Sequence, residues 1–281
     1  GKFDKGTAGA YSFSGGLHGV GVSVTNALAT RLEVTVWRGG QVANIAFAGG
    51  DVVEALTLRK PASGERKSGT TVRVWPDPKY FESSELPRAE LMHLLRSKAV
   101  LMPGVTVTLV IEKPGRAEAE RQSWLYQGGL SDYLLQSLPA DPVIPLFEGA
   151  HYADGGETEN FAEGEGAAWS VAYTDEGAPV RESYANLIPT VAGGTHESGL
   201  KDGLFGAIQG FIDMHALLPK DVKLMPEDAF SRASFVPPAR VLDPPFQGAI
   251  QDSLNSRDSV RRVPPPDPPS PALCQRRPLQ V

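Results

Sequence analysis

The chain has 281 residues, 41% hydrophobic and 21% charged, enough to bury one large core or two ordinary ones. Its formal net charge of −6 excludes a generally basic protein that coats nucleic acid, and a single cysteine, Cys274, excludes an internal disulfide or a thiolate metal site. No run approaches the ~18 consecutive apolar residues of a membrane span. The first residues lack both a methionine and a signal-peptide core, so a cytoplasmic chain beginning part-way through a longer protein is expected.

Residues 15–29 read as a glycine-rich loop running into a short helix, with Val20, Val24, Ala27 and Leu28 as its apolar positions. Residues 32–37 then alternate, placing Leu32, Val34 and Val36 on one face. Gly39-Gly40 supplies the positive φ of a tight hairpin, and residues 42–47 return as the partner strand. Residues 70–75 form another strand, stopped by Pro76 and Pro78. Residues 86–100 read as a helix with Leu91, Leu94, Leu95 and Ala99 inward, and Pro103-Gly104 leads into the alternating Val105, Val107, Leu109 and Ile111. Helices mixed with antiparallel hairpins predict an α+β layered fold, not a doubly wound parallel sheet.

Composition shifts near residue 140. Pro139, Pro142 and Pro145 precede an acidic, glycine-rich stretch with Asp154, Glu157, Glu159, Glu163 and Glu165, and a domain boundary is expected there. Beyond it, residues 169–173 and 183–188 read as strands. Thr195 is expected to cap a helix reaching His215, with Leu200, Leu204, Ile208, Phe211 and Ile212 as its inner stripe. Residues 263–281 hold seven prolines and are expected to be disordered.

The chemistry concentrates in Ser14-Gly15-Gly16-Leu17-His18-Gly19-Val20-Gly21-Val22-Ser23. Glycines there let backbone amides approach a ligand closely, and a helix start behind them adds unsatisfied donors and a positive dipole end, which suit phosphate. The spacing matches neither the dinucleotide fingerprint nor the phosphate loop ending in Gly-Lys-Ser/Thr, so spacing alone leaves a tight turn as an equal alternative. Gly193-Gly194-Thr195-His196 reads as a turn and helix cap. The histidines His18, His93, His151, His196 and His215 show no zinc spacing.

The string from Ser14 to Leu28 closely resembles the ATP-lid motif of the ATPase subunits of bacterial type II DNA topoisomerases, members of the GHKL group. Lys2-Phe3-Asp4, Lys67-Ser68-Gly69-Thr70-Thr71, Tyr126-Gln127-Gly128-Gly129-Leu130, Asn186-Leu187-Ile188-Pro189-Thr190, Gly193-Gly194-Thr195-His196 and Asp243-Pro244-Pro245-Phe246 resemble this family in the same order. The wording Asn-Leu-Ile-Pro-Thr and the stretch Arg257 to Arg262 look more like the topoisomerase IV branch than the gyrase branch. The resemblance implies a partial GHKL (Bergerat) ATPase α/β sandwich over residues 1–140 and a transducer domain of the ribosomal S5 domain 2-like fold over 141–262, ahead of the proline-rich tail over 263–281. It implies that Gly16, Leu17, His18, Gly19, Val20, Gly21 and Val22 wrap the triphosphate of ATP, that Tyr11 lies beside the adenine, that Thr70 orders a water next to it, and that Lys2 lies near the phosphates. Mg²⁺ accompanies ATP in that family. The implied partners are DNA, the A subunit of topoisomerase IV and a second copy of the same chain; no membrane is involved.

The same resemblance places the general-base glutamate, the magnesium-binding asparagine and the adenine-reading aspartate upstream of Gly1, so no catalytic or metal-ligating residue is assigned here. Where the family carries a Gln-Thr-Lys loop, this sequence has Ala249-Ile250-Gln251, and Pro237-Pro238 interrupts a strand expected over 235–242. Little or no ATP turnover by the chain alone is therefore expected. The alternative is a non-catalytic interaction module that keeps weak nucleotide binding.

Overall fold

The computed structural model describes residues 20–83, 85–112, 115, 119–154, 162–219, 221–242, 246, 247 and 253–255. They divide into two compact units, the break falling after Leu91.

In the first unit, helix α1 (Gly21–Ala27) leads into four strands: β1 (Ala29–Arg38), β2 (Gln41–Ala48), β3 (Asp51–Arg59) and β4 (Gly69–Pro76). They form one antiparallel sheet in the order β3-β2-β1-β4. The β1–β2 turn is the expected one, with Gly39 at φ 58° and Gly40 at φ 73°, where a side chain would be strained. Register sorts the residues by chemistry. Leu32 pairs with Phe47 and Val74, and Val34 pairs with Ile45 and Val72, so one face is apolar. On the other face Glu33 pairs with Ala46 and Arg73, and Thr35 pairs with Asn44, donating a 2.9 Å hydrogen bond to its side chain. Only Ala29, Leu32, Val42 and Ala46 are buried among the described residues of this unit, while Val52, Leu58, Val72 and Val74 stay exposed.

The second unit contains most of α2 (Arg88–Leu101), the hairpin β5 (Val107–Ile111) and β6 (Glu120–Trp124), and α3 (Gly129–Ser137). Then come β7 (Phe147–Tyr152), β8 (Gly166–Tyr173), β9 (Tyr184–Ala185), β10 (Ile188–Pro189), α4 (Thr195–His215), α5 (Pro226–Phe230), β11 (Ala233–Val236), β12 (Pro238–Arg240), β13 (Phe246–Gln247) and β14 (Ser253–Leu254). Strand β8 is central. Its Val171 pairs with both Phe147 of β7 and Phe235 of β11, so those two strands flank it, and β12, β9 and β10 extend the sheet on the β11 side. Alternation along the strands feeds two cores. Ala167, Trp169, Val171 and Phe235 pack with Leu200 and Leu204 of α4. Ala172, Tyr184 and Val236 pack with Ala99 and Val100 of α2 and Tyr133 and Leu134 of α3. The sheet is thus sandwiched between helices, in keeping with the α+β expectation.

Several details differ from the sequence reading. Residue 140 lies inside the second unit, because the core beneath α2 and α3 takes residues from both sides of it. Residues 183–188 are not one strand: Asn186, at φ 55°, turns the chain back between β9 and β10. Thr195 is the first residue of α4, not its cap, which is Gly194. Leu94 is exposed, and Ser97 and Val100 join Ala99 on the buried side of α2. The stripe of α4 is buried at Leu200 and Leu204, whereas Ile208 and Phe211 border a cavity of about 370 Å³ shared with Phe147 and Tyr173. The proline interruption is present as expected: β11 ends at Val236, and Pro238 opens β12, a position where its missing donor is tolerated. Residues 263–281 lie outside the described residues.

Candidate functional site

The phosphate-loop candidates meet the described structure at its first residues; Lys2, Tyr11, Gly16, Leu17, His18 and Gly19 lie outside it. Val20 is the cap residue of α1 and supplies no side-chain hydrogen bond. Val24 N–H donates to the Val20 carbonyl at 2.9 Å, closing the first turn, so Gly21, Val22 and Ser23 carry the amides that an α-helix leaves without an internal acceptor. Val20 and Val22 are 52% and 70% exposed, unusual for valines beside a sheet, and no described residue lies within 4 Å of where a Gly21 side chain would begin. Among the described residues this helix start has no side-chain cap. Its other end is fixed: Asp77 N–H donates to the Leu28 carbonyl at 3.0 Å, and the Asn26 side chain donates to the Gly50 carbonyl at 3.3 Å.

Thr70 lies on β4 opposite Val36, on the apolar face of the sheet, and is exposed. It stands at the far end of β4 from Asp77, a span of roughly 20 Å along the strand. The structure therefore places Thr70 and the anchor of α1 at opposite ends of one sheet. The segment before Thr70 is held by a cluster that sequence reading did not find. Trp37 Nε1 donates to Glu65 at 2.8 Å, both terminal nitrogens of Arg59 donate to the same carboxylate, and the Ala62 amide donates to it at 2.8 Å. The Arg59 guanidinium, followed by the Ala62 amide and Trp37, holds the Glu65 carboxyl down to about 2. Arg66 lies over the Trp37 ring at 4.8 Å. Nothing in the spacing of these residues signals this, since Trp37 and Glu65 meet only through the hairpins between them.

In the second unit, the cap and turn at Gly193-Gly194 are present, but His196 is structural. Its ring is fully buried, Nε2 lies 2.6 Å from the Ser183 hydroxyl, and burial lowers its pKa to about 4. Among the described residues no group of three His, Cys, Asp or Glu side chains is placed to hold a metal ion. No described helix is long and apolar enough to cross a membrane. Residues 249–251 lie outside the described residues; the strands on either side of them pair as Phe246 with Leu254 and Gln247 with Ser253.

Residues 129–264 match the family described as DNA gyrase B. The chain is 42% identical over 260 residues to the B subunit of DNA topoisomerase 4 from Salmonella typhimurium, covering 90% of this chain and 38% of that protein. It is 42% identical over 257 residues to the corresponding protein of Escherichia coli K12, again covering 38% of it. The chain thus spans well under half the length of these relatives. Among solved structures, the topoisomerase IV ATP-binding domain of Francisella tularensis, in complex with a small-molecule inhibitor, superimposes with a TM-score of 0.64 at 30% identity, over 92% of this chain and 64% of that one. The 43K ATPase domain of Thermus thermophilus gyrase B, in complex with an aminocoumarin, gives a TM-score of 0.66 at 25% identity, over 87% of this chain and 63% of that one. The fold is that of the GHKL ATPase region of these proteins. With its motifs in family order and this identity running through both units, the chain belongs to the B-subunit family of bacterial type II DNA topoisomerases.

Proposed function

We propose that this chain is the nucleotide-binding and transducer portion of an ATP-hydrolysing type II DNA topoisomerase of the topoisomerase IV kind, acting by DNA strand passage in the cytoplasm. The observation that carries the reading is the collinear 42% identity over 260 residues. Gly16, Leu17, His18, Gly19, Val20, Gly21 and Val22 hold the triphosphate through backbone amides, Tyr11 lies beside the adenine, Thr70 orders a water there, and Lys2 faces the phosphates. The start of α1 supports this: it has no side-chain cap among the described residues, and amides without an intrahelical acceptor together with the positive dipole end favour an anion. The nucleotide-binding part is assigned to residues 1–140 and the transducer to 141–262, a division by family role that does not coincide with the break between compact units after Leu91, with 263–281 as a tail. DNA, the A subunit of the enzyme and a second copy of the chain are the partners in the intact assembly. Mg²⁺ accompanies ATP in this reading; the described residues offer no ligand set for it, and no step is assigned to it.

The test is equilibrium binding of a fluorescent, non-hydrolysable ATP analogue to the wild-type chain and to Gly21→Asp. Saturable binding is expected, weakened about tenfold or more by a carboxylate set at the helix start. Steady-state ATP turnover should be slight or absent. If the wild type binds no analogue, or the variant binds equally well, the assignment of the glycine loop fails. Turnover comparable with an intact ATPase subunit would overturn the expected inactivity.

A further inference from the structure

The motifs Asn186-Leu187-Ile188-Pro189-Thr190 and Gly193-Gly194-Thr195-His196 have no place in the nucleotide site above, yet they converge on one object. Strands β9 and β12 run parallel, pairing Tyr184 with Pro238 and Ala185 with Ala239, and then the backbone ladder stops. At the next residue the chain turns left-handed, with Asn186 at φ 55°. Its amide N–H donates to the Ala239 carbonyl at 2.7 Å. Its side chain then imitates one more strand residue: Nδ2 donates to the Val241 carbonyl at 3.0 Å, and Oδ1 accepts from the Val241 amide at 3.0 Å. The outgoing end of the hairpin β13–β14 is held by the second motif. Leu254 N–H donates to the Gly193 carbonyl at 3.3 Å, the Thr195 hydroxyl donates to the Leu254 carbonyl at 3.4 Å, and Gly194 and Leu254 form a parallel bridge. A side chain on Gly194 would begin 2.7 Å from the Leu254 carbonyl oxygen, so this approach requires glycine.

The outgoing strand and the segment that leads into the hairpin meet in one small cluster, since Leu254 is 1% exposed and packs with Ala185, Ala239 and Val241. Behind it the two motifs are tied to each other. Gly193 N–H donates to the Thr190 carbonyl at 2.8 Å, the Thr190 hydroxyl donates to Ser183 at 2.8 Å, and Ser183 lies 2.6 Å from His196 Nε2.

We propose that these two motifs form a clamp that fixes the β13–β14 hairpin on the second unit, with Asn186 as its positioning residue through the paired hydrogen bonds to Val241. The clamp deepens the proposed function, resting on that reading only for its use: Ala249-Ile250-Gln251, which stand where the family carries its Gln-Thr-Lys loop, fall in sequence between β13 and β14. The clamp itself is a property of this unit.

The experiment is hydrogen–deuterium exchange of the full chain in wild type, Asn186→Gly and Asn186→Asp, with and without the non-hydrolysable ATP analogue. Glycine keeps the left-handed turn and removes only the side-chain pair. In Asn186→Gly the amides of residues 241–254 should exchange about tenfold faster or more, while those of β8 and α4 stay as in wild type. Aspartate keeps the acceptor but loses the donor, so it should restore protection of the Val241 amide and leave the rest fast. A glycine variant that exchanges like wild type over 241–254, or one that loses protection equally throughout the unit, overturns the clamp. The nucleotide arm is read separately. If the analogue leaves wild type unchanged while the glycine variant still loosens locally, the clamp stands and the nucleotide reading fails.

Discussion

The sheet β3-β2-β1-β4 gathers Leu32, Val34, Ile45, Phe47, Val72 and Val74 on one face, yet Val72 and Val74 remain exposed, as do Val52 and Leu58 of β3. In the second unit, β8 is buried along nearly its whole length because α4 covers one face and α2 and α3 cover the other. Apolar alternation is equally clear in both sheets, so the difference lies in what each sheet has to pack against. A sheet with helices on both faces converts its pattern into core; a sheet with an open face among the described residues carries the same pattern at little gain. The second unit should therefore carry most of the chain's resistance to unfolding.

The largest expected effect separates the two sheets directly. Phe235→Ala, at a side chain 1% exposed, should cost about 3–5 kcal/mol in urea unfolding. Leu58→Ala, at 61% exposure, should stay within about 0.5 kcal/mol. Equal costs would break the comparison.

Acid should act through the second unit as well. Burial lowers the His196 pKa from 6.5 to about 4, so its neutral form stabilises the fold fully above pH 6.5, and that contribution falls away as pH drops from there through 4. The loss should reach ~3 kcal/mol, read as the difference in urea midpoints between wild type and His196→Gln across pH 7.5 to 4. Parallel pH profiles for the two proteins would remove His196 from the account.

Gly149→Ala sharpens the same point at a smaller scale. Its methyl group would enter the space of the Trp169 ring, and a loss of about 1–3 kcal/mol is expected. Gly210→Ala in α4 meets nothing within 4 Å and should instead gain up to ~1 kcal/mol through helix propensity, measured the same way.

The smallest effect belongs to the first unit. Glu65→Gln should shift Trp37 fluorescence without moving the midpoint of the main unfolding transition. The folded carboxyl is held near 2 against an ordinary 4.5, so its pairing contributes above pH 4.5 and is lost as pH falls toward 2. A wild-type fluorescence change centred at 4.5 would show that the Arg59–Glu65–Trp37 cluster does not hold in solution.

Where contacts are local, the residues announced the structure. The Gly39-Gly40 hairpin, the strands it joins, the helix α4 and the break at Pro237-Pro238 follow from turn chemistry, periodicity and a missing backbone donor within a few residues. Strand β3 is hidden because Val52-Val53 spoils strict alternation, and its pairing with β2 is correspondingly irregular in register. Helix α3 is hidden because Gly128 at its start offers no capping side chain. The glycine string that ends at Val22 was legible as a candidate phosphate loop, since a phosphate cradle is built from consecutive backbone amides.

By itself, then, the sequence determined the α+β class, most of the longer elements and the family whose motifs it carries in order. Only the tertiary structure decided which faces become core, that residue 140 lies within a unit rather than between two, and that Asn186 turns the chain and holds Val241 across 55 residues of sequence. The physical reason is range. Propensity and turn chemistry act between neighbours along the chain, whereas burial and the pairing of polar groups are settled by whichever segment packs alongside, and this chain names those segments only once it is folded.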